Sequence, residues 1–304
     1  MQVTAYKYFL TSSRVGSVRK AADILHVSPS AISKQIANLE YTFKAKLINR
    51  LPSGIELTEE GKILARHMEK TVREMEIAKS KIDEINGILS GTIKYATIEG
   101  VAKEWVFPCI KSFIESYPKT NFNGKILGSD SVYEKIRSGS IDFGIVMDTK
   151  IPVDIEAIQY FETYLVVVVN KDHYLANKDK VSLTEVVPYD LVMLNQKFLT
   201  RQLIEQSIND MSIDLKINFE LDSIEMIKHY IRGSESATIL PHFCMPKKPK
   251  DDGLRYITIE KFEVKKCFTI ACKKPGRHLI KAASRFISKL LDESKNINYL
   301  ESSC

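Results

Sequence analysis

Long apolar runs are missing from this 304-residue chain: the longest, residues 165–169, is five residues, against the ~20 that a membrane-crossing helix needs. Residues 1–7 lack the apolar stretch of a secretory leader, so the chain is expected to be soluble and cytoplasmic. Cysteine is sparse and scattered: Cys109, Cys244, Cys267, Cys272 and Cys304 form no CxxC pair, and no histidine stands at zinc-site spacing from them. Cys267 and Cys272 fall on a segment that reads as a strand, where an odd separation of five turns their side chains to opposite faces. The six histidines, His26, His67, His173, His229, His242 and His278, are widely separated. Glycine-rich phosphate loops, GxSxG, HExxH and dinucleotide-binding patterns are all absent. These absences leave no catalytic residue, metal site or cofactor to propose, and an enzyme of unknown reaction stands only as a lesser alternative.

What is present begins at residues 18–39, which read as two helices broken by a tight turn. Ala21 and Ala22 let the first helix lie close to the second, and Ile24, Leu25, Val27, Ile32, Ile36 and Leu39 supply a shared core. His26 sits where the turn calls for positive φ, Ser28 is a suitable N-cap, and Pro29 suits the first helical position. Ser30, Ser33 and Lys34 then fall at the front of the second helix, away from the core. This is a helix-turn-helix able to enter a DNA major groove.

Charge separates that reading from an ordinary helical hairpin. Residues 1–50 carry eight basic side chains (Lys7, Arg14, Arg19, Lys20, Lys34, Lys44, Lys46, Arg50) against Asp23 and Glu40, a net +6 equal to that of the whole chain. A phosphate-facing module attached to a neutral body accounts for this.

Residues 47–50 and 55–58 flank a Pro52 to Gly54 tip and read as a wing hairpin. Thr58 N-caps a long helix with Glu59 and Glu60 in its first turn. Along it Leu64, Met68, Thr71, Met75, Ala78, Ile82, Ile85 and Leu89 alternate spacings of four and three, a coiled-coil seam that points to dimerisation. Gly87, Ser90 and Gly91 mark a hinge. Beyond it strands at 92–97, 121–127 and 141–147 alternate with helices at 103–117 and 131–138, a parallel α/β layer. The style repeats with strands at 191–194, 216–221 and 238–240 around helices at 200–210 and 223–232. Strands near 255–259 and 266–271 and a helix from 279 to about 291 close the chain. Two such lobes predict a cleft where helix N-termini meet strand ends.

Phe9, Gly16, Ser17, Ala21, Ala22, Leu25, Val27, Ser28, Ser33, Gln35, Ile36, Leu39, Glu40, Leu47, Arg50, Leu57, Thr58 and Gly61 together resemble the signature of LysR-type transcriptional regulators. Further on, residues 91–94, Pro108 before a helix ending at Tyr117 and Pro118, residues 139–145, and Leu240 with Pro241 resemble that family's effector-binding domain. The resemblance implies an α/β chain with an N-terminal all-α winged helix-turn-helix (1–58), a linker or dimerisation helix (59–90) and a two-lobed, periplasmic-binding-protein-like effector domain (91–304). Lobe I would comprise about 91–161 and 266–304, and lobe II about 162–265. It further implies a homo-oligomer, a dimer or tetramer, that binds double-stranded DNA and a small polar effector, with RNA polymerase a further candidate partner. Ser28, Pro29, Ser30, Ser33 and Lys34 would approach bases or phosphates, and Arg50 the backbone near the wing. Three positions depart from the family: Ile48 where Phe is usual, Ser53 where the wing tip is basic, and Lys34 where Arg is frequent. Lysine lacks the planar fork that favours bidentate guanine contact.

The same resemblance places the effector against Thr97, Glu99 and Gly100, against Gly128, Ser129, Asp130 and Ser131, and against the segment from Asn195 to Arg201, in particular Asn195, Thr200 and Arg201. Hydroxyls and helix N-termini there suit a carboxylate or another small polar group, and Arg201 could pair with an anion, whereas Glu99 and Asp130 oppose one. A regulator that acts without a ligand, or through thiols, remains an alternative, although residues 189–221 hold no cysteine pair.

Overall fold

Helices build the first third of the chain and mixed sheets the remainder, with the division at Gly91. The two compact units are Met1–Gly91 and Thr92–Cys304, and the computed structural model describes residues 2–211, 215–246, 252–260 and 267–294.

In the first unit, α1 (Gln2–Val15) lies across α2 (Val18–Leu25) and α3 (Pro29–Phe43). Ser17 caps α2 by accepting from Lys20 N at 3.3 Å, and His26 closes it with φ 53°. Ser28 accepts from Ala31 N at 3.2 Å and Pro29 opens α3. Phe9, Ala21, Ile32, Ile36, Leu47 and Met68 are sealed in one core, with Leu25 and Val27 packed at its edge. Ile24 departs from the sequence expectation: it is 57% exposed. A two-turn helix has room for one buried stripe, and Ala21 and Ala22 occupy it.

The wing pairs β1 (Ile48–Leu51) with β2 (Gly54–Leu57) antiparallel, Leu51 opposite Gly54. Ile55 N donates to Gly16 O at 2.8 Å, tying the hairpin to the α1–α2 turn. A Cβ on Gly54 would lie 2.2 Å from that same carbonyl, so only glycine fits there. Helix α4 (Glu59–Ile85) follows, with the Thr58 hydroxyl accepting from Gly61 N at 3.0 Å. Its seam divides. Met68 is buried in the unit's own core and Leu64 packs beside it, whereas Met75, Ile82 and Ile85 are 55%, 60% and 84% exposed. Leu89 lies beyond the helix end.

The second unit begins with β3 (Gly91–Thr97). It continues through α5 (Glu99–Val101), a π-helical turn (Ala102–Val106), α6 (Phe107–Ser116), β4 (Thr120–Ile126), α7 (Ser129–Arg137), β5 (Phe143–Asp148) and β6 (Glu156–Thr163). The chain then builds β7 (Leu165–Asn170), β8 (Lys180–Val181), α8 (Leu183–Val186), β9 (Leu191–Leu194), α9 (Leu199–Met211), β10 (Ile217–Leu221), α10 (Ile224–Arg232), β11 (Thr238–Pro241) and β12 (Leu254–Ile259). It returns with β13 (Cys267–Lys273) and α11 (Lys281–Ser294). Strand order β4-β3-β5-β13-β6 forms the sheet of one lobe, and β11-β7-β12-β8 with the β9/β10 pair forms the other.

The first sheet is mixed rather than the parallel layer that the alternating pattern suggested. β3 and β5 run parallel, but β13 lies antiparallel to both β5 and β6. β6 and β7 were not among the expected strands. The 165–169 run is the central strand of the second lobe, fully buried between its neighbours β11 and β12. Burial on both faces replaces alternation with a continuous apolar stretch. Phe113, Phe122 and Phe286 pack edge to face in the first lobe with Phe143 tilted against Phe286, and Trp105 Nε1 donates to Leu290 O at 3.0 Å, docking α11. Cys109, Cys244 and Cys272 are buried and form no disulfide. The expected opposite facing of Cys267 and Cys272 turns on a side chain outside the described set, as does Cys304.

Candidate nucleic-acid interface and ligand cleft

The head's chemistry follows from which face of α3 the core leaves uncovered. Ile32, Ile36 and Leu39 point inward, so Ser28, Pro29, Ser30 and Lys34 are exposed and Ser33 is half-buried. The same periodicity exposes Ala37, Asn38 and Tyr41 one turn further on. Sequence reading had not singled these out, although Asn38 lies four residues beyond Lys34. The Ser28 hydroxyl also shares a hydrogen bond with Ser30 Oγ at 3.0 Å. Arg50 is exposed on β1. Glu40, near the C-terminal end of α3, accepts from Leu47 N at 2.9 Å and Ile48 N at 3.3 Å, which fixes the wing's first strand against α3.

An apolar groove of about 490 Å³ opens beside this core, lined by Tyr6, Phe43, Ala45, Leu47, Ile63, Leu64, His67 and Met68 among others. Phe43 and Ile63 are 47% and 51% exposed there.

In the second unit a cleft of about 590 Å³ lies between the two sheets' lobes. Glu99, Gly100, Gly128, Ser129, Asp130, Ser131, Asn195 and Thr200 line it. Thr97 and Arg201 do not. Thr97 is fully buried at the end of β3, where its hydroxyl donates to Ile98 O and its carbonyl accepts from Leu127 N. Arg201, one position along α9 from Thr200, turns to the opposite side. Its guanidinium donates to Glu205 and Glu220, each at 2.8 Å, and to Leu194 O at 3.3 Å. Two carboxylates already neutralise it, so the cleft lacks the cation that sequence reading offered for an anion.

Several lining groups are engaged as well. Ser129 Oγ donates to Met147 O at 3.0 Å and accepts from Met147 N at 3.2 Å, which holds the start of α7 to the end of β5. Thr200 Oγ1 reaches Met147 Sδ across the cleft at 3.8 Å. Asp148 accepts from the Tyr133 hydroxyl at 3.0 Å and Thr149 N at 2.7 Å, and burial beside that carboxylate pushes the Tyr133 phenol well above its ordinary value. Glu99 accepts from Ser223 Oγ and Ile224 N at 2.8 Å each. The residues missed from sequence, among them Met147, Gln202, Asp222 and Phe243, come from strand ends and helix starts that only the topology brings together. Ser223 carried a usable signal: it opens a helix directly after a strand, the position from which helix N-termini face such clefts.

Burial holds the Cys272 thiol up at about 12 and the Cys244 thiol far above its ordinary range. Neither supplies the thiolate that a redox sensor requires. Among the described residues no group of His, Cys, Asp or Glu could hold a metal ion, and no helix is long and apolar enough to cross a membrane.

Comparison with known proteins gives two family matches. Residues 3–62 match the bacterial regulatory helix-turn-helix protein, lysR family, and residues 86–295 match the LysR substrate binding domain. A probable RuBisCO transcriptional regulator of Emiliania huxleyi is 25% identical over 292 residues, 94% of this chain and 93% of the relative. Full-length CbnR in complex with its target DNA shares the fold at TM-score 0.69 and 16% identity, covering 96% of this chain and 99% of that one. The effector binding domain of QuiR in complex with shikimate matches 68% of this chain and 98% of its own length, at TM-score 0.56 and 18% identity.

Proposed function

Since the chain belongs to the LysR family and is a DNA-binding transcriptional regulator with an effector-binding domain, we propose that it reads its operator through α3 and responds to a small polar metabolite in the 590 Å³ cleft. Ser28, Pro29, Ser30, Ser33 and Lys34 approach bases and phosphates, with Arg50 on the backbone beside the wing. The exposure of all but Ser33, on the one α3 face that the core leaves open, supports this assignment. CbnR's capture on its target DNA and the QuiR domain's shikimate complex are consistent with the two roles. The family is one of transcriptional regulators, and enzymatic activity forms no part of the reading.

Residues 59–90 act as the dimerisation segment, through the exposed part of the α4 seam: Met75, Ala78, Ile82 and Ile85. Two heads then address half-sites about one helical turn, ~34 Å, apart. Effector binding shifts the population between closed and open clefts, which alters how dimers pair, how DNA bends and how RNA polymerase is engaged.

The observation that carries the reading is the capped α3, with Lys34 on its open face, in a chain whose whole net charge resides in its first 50 residues. The test is to retain sheared genomic DNA of the host on the purified protein at moderate salt and sequence what remains. Interrupted inverted repeats beside a small set of genes are expected. Retention without any shared sequence, lost as salt rises, would reduce the head to a phosphate grip and overturn sequence-specific regulation.

A further inference from the structure

The start of α10 is a set of backbone donors aimed at the cleft, and the chain fills it with a carboxylate of its own. Glu99 comes from the segment after β3, in the first lobe. Its Oε1 accepts from Ser223 Oγ at 2.8 Å and from Glu225 N at 3.3 Å, and its Oε2 accepts from Ile224 N at 2.8 Å. A negative group on exposed N–H donors at a helix N-terminus is favoured by both hydrogen bonding and the helix dipole. All three bonds cross from one lobe to the other.

Neighbouring features join the same two segments. Lys103 Nζ donates to Glu225 Oε2 at 2.7 Å, a fourth bond between lobes, four residues along from Glu99. Glu225 also faces Lys228, 3.6 Å away and wholly buried, whose ammonium donates to Cys244 O at 2.9 Å. Gly100 lets the segment press against the second lobe: a Cβ there would stand 2.4 Å from the Phe243 ring and 3.0 Å from Cys244 Sγ.

We propose that Glu99 is an internal ligand of the cleft and a specificity-determining residue. It takes the position that an effector's carboxylate would occupy on α10, so the cleft selects an effector that is uncharged at that end. The proposal rests on the reading of this cleft as the effector site. A second carboxylate brought within about 5 Å of Glu99 would be disfavoured on the order of 10²-fold at the effective dielectric of a partly buried site. Arg201 is held by Glu205 and Glu220 behind the cleft and Lys103 by Glu225, so neither offsets it, and Lys197 lines the cleft from the segment before α9 rather than beside α10.

The test uses the full chain and its single tryptophan, Trp105, which reports on the second unit. Thermal unfolding is followed by fluorescence for the parent and for Glu99→Ala, in sodium acetate and in sodium chloride of equal ionic strength. Removal of the side chain is expected to lower Tm, and acetate to restore it by several degrees at roughly ten times its Kd, by occupying the vacated donors. The parent should respond to acetate no more than to chloride. Equal acetate responses in parent and variant, or none in the variant, would overturn the proposal. Should Glu99→Ala fail to fold, Glu99→Ser retains a hydroxyl near the helix while leaving room for acetate, and the same two outcomes decide. Because this readout involves no DNA, a failed acetate rescue and a failed operator search are distinguishable.

Discussion

His242 shows how one side chain can link stability to pH. Its ring stacks on Tyr164 with centroids 4.0 Å apart, its Nδ1 accepts from Tyr164 N at 3.3 Å, and its own N donates to Tyr164 O at 2.9 Å. Burial lowers its pKa to about 4, with the Tyr164 backbone acting in the opposite sense. Unfolded, the imidazole titrates near 6.5. Above that pH both states are neutral and His242 adds no pH dependence. Between about 6.5 and 4 the unfolded chain binds the proton and the folded one does not, so stability falls as pH falls, by up to ~3 kcal/mol. Burial shifts His173 in the same direction. Urea unfolding read at Trp105 should therefore weaken from pH 6.5 to 4.5, and His242→Phe, which keeps an aromatic ring on Tyr164, should flatten that slope while lowering stability at pH 7. Parallel slopes in the two proteins would place the acid sensitivity elsewhere. At this scale the caps were legible in sequence, because Ser28, Thr58 and His26 act on groups within four residues of themselves. The fate of Arg201 was not, since Glu220 stands 19 positions away on another element.

Whole elements were legible to the extent that their burial is one-sided. α3 and α4 announced themselves by periodicity and a cap, whereas β6 and β7 were missed because neither alternates: β7 is buried throughout and β6 is mostly half-exposed. Context also reverses ordinary propensity. Gly61 sits in the first turn of α4, where alanine would normally stabilise by about 1 kcal/mol. Here a Cβ would lie 2.1 Å from Leu47 O and 3.3 Å from Leu57 Cδ2. The first contact is backbone, and Leu47 N is already fixed by Glu40, so the strand cannot withdraw freely. Gly61→Ala is expected to destabilise the first unit by roughly 1–3 kcal/mol, measured by the shift of its unfolding midpoint in far-UV circular dichroism. A midpoint unchanged or raised would mean that α4 and the wing can move apart without loss.

At the scale of the molecule, the seam's division carries the argument about assembly. Leu64 and Met68 are packed into the head's own core, so the proposed pairing would fall to the remaining apolar positions of α4. Met75, Ile82 and Ile85 lie open to solvent on a helix whose other exposed positions include Glu59, Glu60, Lys62, Arg66, Lys70, Glu74, Lys79 and Lys81. A stripe of that kind is costly when left in water and matches the a/d positions of a paired helix. Ile82→Glu should convert the oligomer to a monomer in analytical ultracentrifugation. Since Ile82 is 60% exposed in the single chain, the far-UV circular dichroism of the variant should be unchanged, while its unfolding midpoint should lose the stabilisation and the concentration dependence that pairing supplies. Operator affinity should fall by on the order of 10²–10⁴, because one head then binds without the effective concentration supplied by its tethered twin. A variant that stays oligomeric with full operator affinity would remove α4 as the seam. A variant that becomes monomeric yet binds as tightly would show that a single basic head suffices, and the half-site reading would fall while the assembly reading stood.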